Sequence, residues 1–344
     1  MPSFRTGTVT QVLEERPGLQ RILVDLAESE TARAYVLTQL TGDVAAGDEV
    51  VVNTTAVELG LGSGGWHVVH WNLSRRSLDQ PGSGHIMKLR YTSLQADTGA
   101  DESIGDDDDL DGMPVIACGL HSQVPCVVAA LRHARPAARI GYVMTDGAAL
   151  PLALSDTVAA LRPVLATTVT AGHAFGGDHE AVNVAAALLT ARRHADVAVV
   201  AMGPGVVGTA TRLGYSAFEV GAVISAAALL GGRPVATLRF SLADPRLRHQ
   251  GVSHHSRTAL ALGTQERATI GVPRGPFDER VRADLDAAGV ADRHRILGVE
   301  DPGIPGLLDA LGLTVTSMGR GPADDPGFYA VAGAAGTAAA TMLP

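Results

Sequence analysis

The segment EAVNVAAALLTARRHADVAVVAMGPGVVG occupies residues 180–208. Residues 180–194 are rich in Ala and Leu and predict a helix, whereas 196–202 form a short β-branched run and predict a strand. Three glycines follow at once: Gly203, Gly205 and Gly208. The same alternation extends in both directions. Further β-branched runs at 115–118, 139–144, 164–170, 234–240, 267–272 and 295–299 predict strands. Helical runs near 122–135, 154–162, 217–231, 256–263, 278–289 and 305–311 lie between them. Gly231, Gly263 and Gly289 fall where helices should end, because glycine accepts the left-handed backbone of a helix C-terminus. Strand–helix alternation implies right-handed crossovers and a mostly parallel sheet covered on both faces. Residues 113–344 therefore predict a doubly wound, Rossmann-like α/β domain.

Upstream the period changes from helical to alternating. Runs at 6–12, 20–25, 34–37 and 67–73, with the Gly-Asp turn and strand of 43–53 (DVAAGDEVVVN), predict a small barrel-like β domain over 1–95. Its last strand is 84–95 (GHIMKLRYTSLQ), which as an extended chain puts Ile86, Lys88, Arg90 and Thr92 on one face. Residues 97–111 (DTGADESIGDDDDLD) then carry eight acids and no base. Runs of like charge are usually solvated, so 96–112 reads as a linker. The central Gly and closing Glu of an EF-hand are missing there, which speaks against calcium.

Composition narrows the function classes. Of 27 basic residues only Lys88 is lysine and the other 26 are arginine. On a solvated surface either cation serves, so the bias points to coding pressure acting wherever Arg is tolerated. Lys88 then marks either chance or a place that rejects Arg. With 46% hydrophobic and 18% charged residues the chain can build full cores. No apolar stretch approaches the ~20 residues of a membrane span, and the N-terminus lacks the pattern of a signal peptide. Cys118 and Cys126 cannot form a disulfide framework, which fits a cytoplasmic location. A net charge of −9 argues against a nucleic-acid partner.

In open α/β sheets, ligands bind beyond the carboxyl ends of the strands. After the first predicted strand come His121 and Ser122, and after the second Thr145 and Asp146. His173, Asp178, His179 and Glu180 follow the third; Asp244, Arg246, Arg248, His249, His254 and His255 follow the fifth. Six of the twelve histidines thus fall on three loops. Gly203, Gly205 and Gly208, after the fourth strand, match G-x-G-x-x-G. That motif is compatible with an anion cradle completed by Thr209 and Arg212, with a dinucleotide site, or with a plain tight turn. No acid ends the next strand to hold a ribose, which weakens the dinucleotide reading. Asp178 and His179 with His249 and His254 or His255 offer N and O ligands for a divalent transition metal. Acid–base, anion-binding and structural roles are the alternatives for these histidines. Ser122 lacks the G-x-S-x-G of a nucleophile elbow and reads as a helix N-cap. Cys118 and Cys126 read as core residues, having no charged neighbour to favour a thiolate.

Four blocks carry a resemblance: GSGHIMKLRYTSLQ, GGDHEAVNVAAAL, MGPGVVGTATRLGYSAFEVG and DPRLRHQGVSHHSRTAL. They resemble a bacterial family known as domain of unknown function 3866, over nearly the whole chain. The resemblance implies no activity and maps no catalytic residue, but its blocks coincide with the loops selected above.

The expected function is a cytoplasmic enzyme, a hydrolase or transferase, acting on a small phosphate- or carboxylate-bearing metabolite. Lys88, His121, His179 and His254 are its candidate catalytic residues. Arg90, Gly203, Gly205, Gly208, Arg246 and His255 are the candidate ligand-binding residues. Asp178, His179, His249 and His254 are the candidate metal ligands. The alternative is a non-catalytic metabolite or nucleotide sensor using the same pocket; a homo-oligomer is the expected assembly.

Overall fold

The structure is a computed structural model that describes residues 2–26, 31–82 and 84–344. Met1, residues 27–30 and residue 83, all within the expected β domain, lie outside the described residues. The chain divides into two compact units, Met1–Gly99 and Ala100–Pro344.

The first unit is built on five strands: β1 (Phe4–Arg16), β2 (Leu19–Leu26), β3 (Thr31–Val36), β4 (Glu49–Asn53) and β5 (Trp66–Asn72). Single helical turns α1 (Thr38–Thr41) and α2 (Thr55–Glu58) flank β4. The strands close into a barrel in the order β1-β2-β3-β5-β4, with β1 antiparallel to both β2 and β4 and with β3 parallel to β5. Irregular register between Val9 and Gln11 and between Val12 and Glu14 lets the long β1 bend around the closure. Alternate residues point inward, so Val9, Ile22, Val24, Val36, Val50 and Val52 fill the centre.

The expected strand over 84–95 is cut short. β6 (Ile86–Lys88) pairs with β7 (Ala96–Thr98), but Leu89 and Tyr91 take φ of 49° and 61° and turn the chain between them. Lys88 and Arg90 therefore do not share a strand face. Arg90 is exposed and donates to the Met87 carbonyl, whereas Lys88 is only 1% exposed. A buried, close-packed position is one where the larger planar guanidinium is badly accommodated, which favours the selective reading of the lone lysine over chance. Lys88→Arg should lower stability by about 1–3 kcal/mol through overpacking, read as a lower midpoint in chemical unfolding. An unchanged midpoint would return Lys88 to coincidence.

The second unit centres on an eight-stranded sheet. Its strands are β8 (Pro114–Cys118), β9 (Ile140–Thr145), β10 (Thr167–Ala171), β11 (His179–Ala181), β12 (Val197–Met202) and β13 (Arg233–Ala236), followed after a small hairpin, β14 (Phe240–Ser241) and β15 (Gly251–Val252), by β16 (Thr269–Pro273) and β17 (Arg295–Val299). The order is β11-β10-β9-β12-β8-β13-β16-β17, and every pairing is parallel. Helices α3 (Val124–Ala134), α4 (Asp156–Leu161), α5 (Val184–His194), α6 (Val220–Leu229), α7 (His254–Leu262), α8 (Asp278–Ala287), α9 (Ile304–Ala310) and α10 (Pro326–Ala340) complete it.

Successive strand residues feed two cores. Ile116, Cys118, Val197 and Val199 pack beneath α3, α4, α9 and α10, while Val115, Ala117, Ala198 and Val200 pack beneath α5, α6, α7 and α8. Both strand faces are therefore buried, which is why these strands read as unbroken apolar runs. Helix α10 was not expected. Its small residues let it lie against α3 so closely that a Cβ on Gly336 would come within 2.4 Å of the Val127 carbonyl oxygen.

The acidic stretch is more ordered than a solvated linker. The boundary between the units falls inside it, at Gly99. Beyond that point the Asp101 N–H donates to the Glu180 carbonyl, Arg193 pairs with Asp107, Arg192 pairs with Asp111, and Leu110 is buried. Opposite charge on α5 converts a self-repelling run into a strap along the domain.

Candidate functional site

At the centre of the carboxyl edge, β8 leads into a 3-10 turn, His121–Gln123. Gln123 secures it by accepting from the Leu120 N–H at 2.9 Å and donating to the Leu238 carbonyl at 2.8 Å. Ser122, expected as a cap, lies inside the turn, so its side chain does not take that role. The ring of His121 is buried. Its Nδ1 is 3.1 Å from the Met202 carbonyl and its Nε2 is 2.6 Å from Ser155 Oγ. Burial lowers its pKa to about 4, partly opposed by the Met202 hydrogen bond. A neutral imidazole with both nitrogens engaged ties β8, β12 and the start of α4 together.

Glu219, which the sequence reading missed, is the perturbed acid of this edge. It ends the 3-10 turn Ser216–Glu219 that leads into α6. Thr145 donates to its carboxylate, and a Cβ on Gly147 would stand 2.6 Å from its Oε2. Burial raises its pKa to about 7, with the Asp146 carboxylate adding and the Thr145 hydrogen bond opposing. The usable signal was an acid next to a Gly-rich loop at the mouth of an apolar helix. A raised carboxyl pKa means that the fold binds this proton more tightly than the unfolded chain does. The group's stabilisation is therefore complete below the ordinary glutamate range and is lost as pH rises through about 7. Glu219→Gln, which does not titrate, should gain about 2–3 kcal/mol on the wild type between roughly pH 4.5 and pH 8. Unfolding midpoints of both proteins across that range test this, and parallel curves would contradict it.

The glycine motif after β12 does not open a helix. Residues 203–215 form a loop closed by a bridge between Gly208 and Tyr215, and α6 begins only at Val220. Its glycines have local duties: a Cβ on Gly203 would meet the Ala149 carbonyl oxygen at 2.2 Å, and Gly205 has φ of 100°. Of the three readings of the motif, these local duties are those of a tight turn, and the backbone N–H groups of α6 lie a dozen residues further on. The second half of this loop lines a cavity.

Ala210, Thr211 and Arg212 line a cavity of about 560 Å³, together with Arg248, His254, Arg257 and Thr258 and with the C-terminal end of α8. Among the described residues no ion pair joins Arg212, Arg248 or Arg257 to an acid. Other arginines do find carboxylates, as in Arg139–Asp196 and Arg162–Asp178. Arg246, expected as a ligand-binding residue, pairs with Asp244 instead and is not on the cavity wall. Asp244 is fully buried and also meets Arg239 and Arg320. The Arg246 hydrogen bonds, with Arg239 beside them, hold its carboxyl well below the usual range.

Behind the cavity wall three histidines meet. His249 closes a 3-10 turn, Leu247–His249, while His254 and His255 open α7 behind the N-cap Ser253. One ring nitrogen from each lies within 4.8 Å of the others. Burial, with Arg239 adding, lowers the pKa of His249 and of His255 to about 3, and burial together with Arg248 lowers that of His254. His255 also stacks flat on Tyr215, with centroids 4.0 Å apart.

The expected metal set of Asp178 and His179 with His249 and His254 is not brought together. β11, which carries His179, lies at one edge of the sheet, and the His249–His255 loop follows β13, five strand positions away. At ~4.8 Å per strand that is roughly 24 Å. Asp178 is instead held by Arg162 and Thr168. His179 faces Asp101 at 3.4 Å and stacks on His194, forming a second ligand-capable group. Lys88 and Arg90 belong to the barrel unit.

The profile of a family described as protein of unknown function, DUF3866, matches residues 33–336. The chain belongs to this family. The match runs from β3 of the barrel to the last helix of the α/β unit, so it takes in part of the first unit and most of the second. No curated protein and no solved structure matches the chain.

Proposed function

We propose that this DUF3866 protein is a cytoplasmic enzyme, a hydrolase or transferase, acting on a small phosphate- or carboxylate-bearing metabolite bound between Arg212, Arg248, Arg257 and His254. The observation that carries the reading is that three arginines, without an acidic partner among the described residues, line one cavity of about 560 Å³. Like charges gathered in a concave site repel each other and focus a positive field, which an anionic ligand relieves. Guanidinium forks match phosphate and carboxylate oxygens in pairs. The volume suits a metabolite rather than a single ion.

The reacting group is assigned to the histidines on the same wall, since His254 lines the cavity and touches His249 and His255. Cys118 and Cys126 are free buried thiols, which agrees with a reducing compartment. Among the described residues no helix is long and apolar enough to cross a membrane.

A thermal-shift screen of phosphorylated and polycarboxylate metabolites tests the reading. A true ligand at a hundred times its Kd should stabilise the fold by about 2.7 kcal/mol. Turnover of that ligand separates enzyme from sensor. A panel with no shift, or a shift that survives loss of Arg248 and Arg257, would contradict the proposal.

A further inference from the structure

We infer that His249, His254 and His255 form a binding site for one divalent transition-metal ion, with zinc the best fit. The sequence places the three in His249-x4-His254-His255, and two local structures fix their start points. The 3-10 turn presents His249, and the Ser253 cap sets the first turn of α7. The ring centroids are then 4.3 to 4.9 Å apart. A tetrahedral metal at ~2.0–2.1 Å from each nitrogen needs nitrogens about 3.4 Å apart. The ligand atoms lie within 4.8 Å of one another, so they must draw together by about an ångström on binding a metal.

Two observations point to a ligand rather than to packing. His254 Nε2 and His255 Nδ1 are buried and have no hydrogen-bond partner among the described residues. Buried polar atoms left unpaired are rare in folded proteins, and a metal would satisfy both. His249 Nδ1 lies 2.7 Å from Ser253 Oγ, which leaves Nε2 to ligate. A hydrogen bond on the second nitrogen is the arrangement that orients metal-binding histidines. Three imidazoles with one position open is a catalytic zinc pattern, whereas calcium and magnesium prefer oxygen ligands.

Arg239, Arg246, Arg248 and Arg257 oppose a bare cation here, and Asp244 is the nearby acid. An anion in the adjoining cavity offsets that repulsion, so metal and anion should each tighten the other by the same factor. This coupling rests on the proposed function; the metal site does not.

The test uses the full chain without a histidine tag, stripped by chelator and dialysed against zinc. About one equivalent should bind at this site. It should be lost in the His254→Gln/His255→Gln variant, with folding checked by circular dichroism, and kept in the Asp101→Asn/His194→Gln variant, which disables the second ligand group. Inorganic phosphate should tighten zinc binding by on the order of tenfold and shift the visible bands of the cobalt form. Failure of the wild type to bind zinc at all, or zinc lost only with Asp101 and His194, would overturn the inference. Zinc retained at this site without any phosphate effect would uphold it and count against the anion reading instead.

Discussion

Replacing Asp244 by Asn should destabilise the α/β unit by about 3–5 kcal/mol, the largest stability effect expected of any single substitution here. Three cations converge on this carboxylate: Arg246 at 2.8 Å, Arg239 at 3.2 Å and Arg320 at 3.6 Å. Asp244 has no solvent access, and Arg239 has only 8%. An amide would keep the shape and the contact with the Arg246 N–H, but it would leave buried positive charge uncompensated. That desolvation penalty, rather than a lost hydrogen bond, sets the size of the effect. The sign with pH follows from the depressed pKa. The contribution is complete above the ordinary aspartate range near 3.8 and is lost only as pH falls through a still lower value. The gap between wild type and variant in chemical unfolding should therefore stay constant from pH 8 to pH 5. A difference below ~1 kcal/mol, the scale of a surface ion pair, would show that the network is not desolvated as described.

The largest functional effect should come from Arg248→Ala combined with Arg257→Ala. Each guanidinium that contacts an anion in a partly desolvated site contributes about 1.5–3 kcal/mol. Removing both should weaken binding of a phosphorylated ligand at least about a hundredfold in isothermal titration. Stability should move the other way. These arginines have no acidic partner among the described residues, so their removal relieves repulsion and the ligand-free Tm should hold or rise. Loss of affinity together with a higher Tm separates a binding role from a structural one. Unchanged affinity would remove both residues from the site.

Much of the fold was legible because burial on both faces leaves a plain trace. Val115–Cys118 and Val197–Met202 are unbroken apolar runs between helical segments, and Val50 and Val52 alternate as a barrel strand must. Other features were not legible, each for a physical reason. Helix α10 (PGFYAVAGAAGTAAA) is buried almost all round, so it has no polar stripe to mark its period. The turn after Lys88 relies on left-handed backbone at Leu89 and Tyr91, residue types that give no such signal. The metal set was assembled wrongly because strand order is not written in local pattern. Three loops at one sheet edge look alike in sequence, yet β11 and β13 stand five positions apart. The cavity arginines were visible as types but not as partners, since Arg246 and Arg248 differ by two residues and only the fold sends one to Asp244 and the other to the cavity.

Diffraction from crystals soaked in tungstate, an anomalous scatterer with the charge and shape of phosphate, tests the central claim most directly. The expected result is a strong anomalous peak within hydrogen-bonding reach of the Arg212, Arg248 and Arg257 guanidinium groups, beside His254. An empty cavity at saturating tungstate, or a peak seated instead on the Gly203–Pro204–Gly205 turn, would contradict it.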